Sequence, residues 1–145
     1  MAASDAQAWA GTILEMDPAG GGAYTTVAEV RDLRGPRITK KAINVTHSES
    51  DNDCDEFIFG TSNSGTVTFS LNFLPTSANQ MKLLTHAQSD VGTTIPSWRI
   101  SMSQFTPAKN WTFHGGVTSL EPSGDRDGEH LMDCEITVTG KATLA

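Results

Sequence analysis

Cysteine is scarce in this chain of 145 residues. Only Cys54 and Cys134 occur, one in an acidic stretch and the other in an alternating apolar stretch, too few and too unlike for a disulfide framework. Both are read as free thiols. Long apolar runs are missing, so no segment reaches the length needed to cross a bilayer. The opening MAASDAQAWAG has neither the basic segment nor the hydrophobic core of a secretion signal. The expectation is a protein made and kept in a cytoplasm, without membrane contact. Basic charge is also short: ten Lys and Arg face seventeen Asp and Glu, a net −7. That excludes a general nucleic-acid binder, which needs a basic face to displace phosphate counterions. Strong helix formers are sparse outside residues 78–88, while Thr, Ser and Gly abound, which favours a β scaffold with many turns.

Catalytic patterns are missing too. There is no Gly-x-Ser-x-Gly elbow, no phosphate loop and no cysteine with an evident base. His114-Gly115-Gly116 without such an elbow reads as a bent strand. His47, His86, His114 and His130 have neither zinc-helix spacing nor cysteines at ligand intervals. Asp51-Asn52-Asp53-Cys54-Asp55 starts like a calcium loop, but Glu56 stands where the sharp turn needs glycine and Ser62 where a bidentate carboxylate belongs. The expectation is a protein without enzymatic activity, cofactor or resident metal.

The clearest positive signal is Gly65 to Gln88. Val67, Phe69, Leu71 and Phe73 alternate with Thr66, Thr68, Ser70 and Asn72, the pattern of a half-buried strand. Pro75 ends it, and Ser77 followed by Gln80 has the form of a capping box. A helix over 77–89 follows, with Met81, Leu84 and Ala87, and Leu83 beside them, as its apolar stripe.

Further strands are expected over 11–16, about 24–33, 37–46, 97–102, 111–120 and 130–144. Ile38, Ile43 and Val45 are expected to reach the core, with a bulge near Lys40 and Lys41 and a bend at Gly115-Gly116. Asp17 to Gly22, with its three successive glycines, reads as a mobile turn, and 121–128 as another turn. Trp98 and Trp111 lie on the apolar side of their alternations and read as core. The whole is one domain, 1–145: a β-sandwich or partly open barrel of seven to eight strands with one flanking helix and a long loop over 47–64.

Three segments point to assembly. The first ten residues cannot make a core of their own and read as an arm, whose Trp9 either anchors in a neighbour or tucks onto its own domain. Residues 31–41 hold Arg31, Arg34, Arg37, Lys40 and Lys41 against Asp32, a net +4; residues 49–56 hold Glu49, Asp51, Asp53, Asp55 and Glu56, a net −5. The acidic loop also carries Phe57, Ile58 and Phe59, a knot with no purpose in a merely solvated loop. It reads as a docking loop, to which the basic segment 31–41 is complementary in charge.

In this order of elements the chain resembles the major tail tube proteins of long-tailed bacteriophages and is similar to that of phage lambda in its N-terminal domain. The features that carry the resemblance are Val30-Arg31-Asp32-Leu33, the acidic loop 49–56, Thr66 to Phe73 running into Leu74-Pro75, the helix, Trp98-Arg99-Ile100, the bent strand 113–119 and the closing Val138-Thr139-Gly140. Some relatives carry an immunoglobulin-like domain after the tube domain; this chain, which ends at Ala145, is expected to lack it.

The resemblance implies a virion subunit, assembled in the host cytoplasm, that forms stacked hexameric rings through which DNA is ejected. It also implies itself, a tape-measure protein and terminator or tail-tip proteins as partners, with DNA passing unbound. Thr66, Thr68, Ser70 and Asn72, or Glu135, Thr137 and Thr139, are the candidate lumen faces. Two other readings stay open: a tube subunit of a contractile or type VI-like secretion apparatus, and a monomeric β-sandwich binding module using Trp98 or Trp111.

Overall fold

A computed structural model describes residues 9–27, 29–89 and 94–145. Residues 1–8 of the expected arm, and 90–93 of the connection after the helix, lie outside it. Nine strands and one helix follow in chain order: β1 Ile13–Asp17, β2 Thr25–Thr26, β3 Val30–Arg34, β4 Thr39–Asn44, β5 Phe57–Asn63, β6 Thr66–Asn72, α1 Ala78–Ala87, β7 Ser97–Met102, β8 Lys109–Gly124 and β9 His130–Leu144. Seven strands form one sheet, in the order β2-β1-β7-β8-β9-β6-β3, while β4 and β5 pair only with each other. All pairs are antiparallel.

The segment expected as one strand over 24–33 is two strands at opposite edges of the sheet. Glu29 sits between them in the left-handed region, at φ 54°, a conformation that interrupts an extended run. Val27 N donates to Leu14 O on one edge, and Asn72 N donates to Glu29 O on the other. Two residue steps span about 7 Å, so the edges come that close and the sheet is rolled into an open, sandwich-like shape.

The two long strands supply the curvature. Their register slips between Thr112 and His114 and again between Val117 and Ser119, on either side of the expected bend at Gly115-Gly116. Gly115 cannot be replaced cheaply, because a Cβ there would stand 2.6 Å from Thr137 O. β8 also continues to Gly124, through residues expected to turn, because its ladder with β9 runs on to the Gly124–His130 pair.

Inside the roll lie Leu14, Met16, Val67, Phe69, Leu71, Trp98, Ile100, Phe113, Met132, Ile136 and Leu83, each apolar side of an alternating strand turned to the same interior. Trp98 is fully buried, and its indole N–H donates to Gly115 O at 2.9 Å. Trp111 is partly buried against the same core. Cys134 is buried and free, its thiol pushed up to about 12 by burial and then by the neighbouring Asp133 carboxylate; Cys54 is free and exposed.

α1 forms where expected, with Ser77 accepting from Gln80 N at its start. Its buried stripe is Gln80 and Leu83 rather than Met81, Leu84 and Ala87. The Gln80 amide explains the rotation: it accepts from Leu74 N at 2.8 Å and donates to Asn72 O at 2.9 Å, so it closes the end of β6 instead of reaching back to the cap. One turn beyond Leu83, His86 lies over Gly116, and its burial there lowers its pKa.

The glycine turn after β1 is pinned. The buried Asp17 carboxylate accepts from the amides of Ala19, Gly22 and Ala23. Burial alone would raise its pKa, but these amides and that of Gly21 outweigh it and hold the carboxyl below its usual range.

Two expectations fail in the segment 37–64. Ile38, Ile43 and Val45 do not reach the core: they are exposed, as is every residue of β4. The expected loop 47–64 contains β5, which pairs with β4 as a hairpin arm, and the register slips between Lys40 and Ala42, where a bulge was expected. Apolar content suggested burial for one strand and alternation was too weak to mark the other, because this hairpin has no core side within its own subunit.

Candidate functional site

Two surfaces carry the residues singled out in the sequence: the solvent face of the sheet and the hairpin arm.

The solvent face is one surface, not two alternatives. Thr66 stands opposite Thr137, Thr68 opposite Glu135 and Ser70 opposite Asp133 across the β6–β9 ladder. Because facing residues share a side of the sheet, the two candidate lumen faces merge. The neighbouring strands extend the rows: Arg34 beside Thr68 and Asp32 beside Ser70 on β3, and Ser119 beside Glu135 and Glu121 beside Asp133 on β8. Hydroxyl contacts knit it together, among them Thr118 Oγ1 to Thr137 Oγ1 at 3.0 Å and Ser70 Oγ to Asp32 Oδ2 at 3.4 Å. Thr139 lies exposed at its end, opposite His114, while Asn72 is half-buried with its side-chain oxygen enclosed.

Asp32, Glu121, Asp133 and Glu135 thus meet Arg34 on one face. The pattern of β9 placed Asp133 and Glu135 together, but only the register adds Asp32 and Glu121. Glu121 directly opposite Asp133 is a like-charge pair, which costs stability. Trp9, about half exposed, stands at the rim of this face near Asp32, Arg34 and Ser70, over its own subunit.

The arm is built differently. Its root is fixed by Ser64, whose buried hydroxyl donates to Gly140 O at 3.0 Å and accepts from Ala142 N at 3.1 Å. Gly65 lies at φ +68°, packed so closely on the Arg37 carbonyl that a side chain has no room. From there the strands carry the arm out, roughly 20 Å for the six residues of β4.

The tip is an ordered turn. Glu56 Oε2 accepts from Ser50 Oγ at 2.8 Å and pairs with His47 Nε2 at 3.3 Å, while Glu56 N donates to Thr46 Oγ1 at 2.9 Å. A single 3-10 turn, Asp51–Asp53, lies between, with Asn52 and Asp53 in the left-handed region. Phe57, Ile58 and Phe59 are on β5 and exposed. Among the described residues, no group of three or more His, Cys, Asp or Glu is placed to hold a metal ion.

The basic set does not form one patch. Arg31 and Arg34 are on β3 at the sheet edge, where Arg31 pairs with the exposed Glu129 at 2.8 Å. Arg37, Lys40 and Lys41 lie at the root of the arm itself, with the Lys40 ammonium 5.9 Å from the centre of the Phe59 ring. Charge therefore runs along the arm, basic at the root and acidic at the tip.

Residues 8–145 match the family model described as lambda phage tail tube protein. The chain belongs to that family. It is a structural subunit of a phage tail tube, a virion component, and no helix among the described residues is long and apolar enough to cross a membrane.

No curated protein sequence matches this tail tube chain. Solved structures with a similar fold include the tail of an empty gene transfer agent particle, refined with C6 helical symmetry: TM-score 0.75, 17% identity, covering 97% of this chain and 99% of that one. The sheath–tube complex of an extracellular contractile injection system gives 0.68 at 14%, covering 92% and 87%. The SPP1 tail tube gives 0.64 at 11%, covering 92% and 74%. At these identities the likenesses establish the fold alone.

Proposed function

We propose that this tail tube protein forms six-fold rings whose rolled sheets join edge to edge around a channel. The face of Thr66, Thr68, Ser70, Glu135, Thr137 and Thr139 then lines the path of the ejected DNA. The observation that carries this is the merged solvent face: hydroxyls and four carboxylates against one guanidinium. A wall of that sign repels phosphate and lets DNA slide, where a basic wall would hold it. The like-charge pair Glu121–Asp133 costs the subunit stability, which fits a face kept acidic for what passes it.

The rings stack through the arm. The acidic tip of Glu49, Asp51, Asp53, Asp55 and Glu56 meets the basic arm root of the next ring, Arg37, Lys40 and Lys41, in a head-to-tail contact of unlike patches. Phe57, Ile58 and Phe59 supply the affinity, since exposed ion pairs contribute only about 0–1 kcal/mol each. The N-terminal arm, residues 1–10, crosses to a neighbouring subunit as the ring closes, with Trp9 leaving the rim of its own sheet to anchor there. Besides itself, the chain meets a tape-measure protein within the tube and terminator or tail-tip proteins at its ends. Its role is mechanical rather than catalytic.

Thr68→Lys combined with Ser70→Lys tests the lumen. Tubes should form normally, as seen by electron microscopy, and genome ejection should slow. Unchanged ejection and infectivity would overturn the assignment of this face.

A further inference from the structure

The arm has two faces, and they are unlike any strand of the sheet. Side chains alternate across a hairpin, and directly opposite residues share a face. Asn44 stands opposite Phe57 and Ala42 opposite Phe59, so Asn44, Ala42, Phe57 and Phe59, with Lys40 over the Phe59 ring, make one face. Ile43 stands opposite Ile58, and Val45, bonded through its amide to Glu56 O, continues that second face. Phe57 and Phe59 are 49% and 67% exposed; Ile43, Val45 and Ile58 are 38%, 40% and 54% exposed.

A hairpin that lay on a single surface would be apolar on one side and polar on the other, as half-buried antiparallel strands are. This one carries large exposed apolar side chains on both, bordered by Lys40 and Asn44 on one and by Lys41 and Glu56 on the other. We infer that each arm is clamped between two other copies of the chain, one on the Phe57/Phe59 face and one on the Ile43/Ile58 face. The inference rests on the tube reading and goes beyond a single ring-to-ring contact.

Charge identifies the occupant as further copies of this chain. The tip carries −5 and the root of every arm is basic, so a tip is repelled by another tip and attracted to a neighbour's root. Contacts between unlike patches continue from copy to copy rather than closing in pairs. Packed sheets lie about 10 Å apart, so two copies can hold a hairpin between them, as two layers hold a middle one. The two contacts are coupled: an isolated hairpin is only marginally stable in water, and the first copy to dock bears the ordering cost for the second.

Two measurements decide the matter. In tubes assembled from the full chain, a photo-crosslinking residue at Ala42 and another at Ile43 report the two faces separately, without disturbing the core. They should capture two different surfaces of neighbouring copies. Capture of one and the same surface, or capture from only one position, overturns the clamp.

Phe57→Thr with Phe59→Thr, and separately Ile43→Thr with Ile58→Thr, remove one apolar face each while keeping strand-forming residues. Each pair should leave the circular dichroism unchanged and raise the concentration needed for polymerisation about a hundredfold or more. If either pair polymerises like the parent, the two-sided arm is wrong and the tube stands. If the unaltered chain forms no tubes by electron microscopy, the tube reading falls and the clamp with it.

Discussion

The seven-stranded sheet and the β4–β5 arm are made of similar strands, mixing Ile, Phe, Thr, Ser and Asn, yet they treat their apolar residues in opposite ways. In the sheet, Val67, Phe69 and Leu71 alternate with hydroxyl and amide residues, and the apolar set is buried. In the arm, Ile43, Phe57, Ile58 and Phe59 occupy both sides and remain in solvent. A strand that completes its environment within one chain leaves one face for water. A strand that completes it only in an assembly need not.

The comparison can be broken or sharpened by removing one side chain group from each region. The largest effect belongs to the sheet. Trp98→Ala deletes a fully buried indole together with its bond to Gly115 O and should cost about 3–5 kcal/mol in denaturant unfolding of the subunit. A loss below about 1 kcal/mol would mean that the roll is not held by its core.

An intermediate effect belongs to the joint. Ser64→Ala strands the Ala142 amide and the Gly140 carbonyl, and the expected loss is about 1–3 kcal/mol. Hydrogen exchange should rise at Ala142, and the arm should be set at a looser angle. If exchange there is unchanged, the hydroxyl is not what seats the arm.

The smallest effect on the subunit belongs to the arm. Phe57→Ala with Phe59→Ala should change melting of the unassembled chain by no more than about 0.5 kcal/mol per site, while elongation into tubes, followed by light scattering, is lost. A melting change as large as that of Trp98→Ala would place the knot in a core after all.

What could be read from the residues follows the same division. β6, β7 and β9 were legible because one face of each is buried, so a period of two survives in the sequence. α1 was legible from Ser77, but its rotation was not, because the deciding group is the Gln80 side chain, polar and fully buried, where a hydrophobic count sees only a surface residue. β5 was hidden because both its faces are apolar and Gly60 interrupts it, which erases alternation. The acidic solvent face was half legible: Glu135 lies on a clear polar edge, but its sharing that face with Asp32 and Glu121 depends on strand order and register, which bring Asp32 to the side of residues about a hundred positions away in the sequence. The charge gradient along the arm was visible as two blocks, and only the hairpin pairing shows that both blocks share one projection.

The two cysteines divide in the same way, with a chemical consequence. Cys134 is buried in β9 with its thiol pushed up to about 12, whereas Cys54 lies exposed in the turn at the tip of the arm. Alkylating and fluorescent thiol reagents act on the thiolate and need access to it. In the folded subunit they are directed to position 54 and spare position 134. The unmodified protein therefore carries one addressable thiol, at the end of its projecting arm, and oxidants reaching the free subunit meet that sulfur before the one in the core.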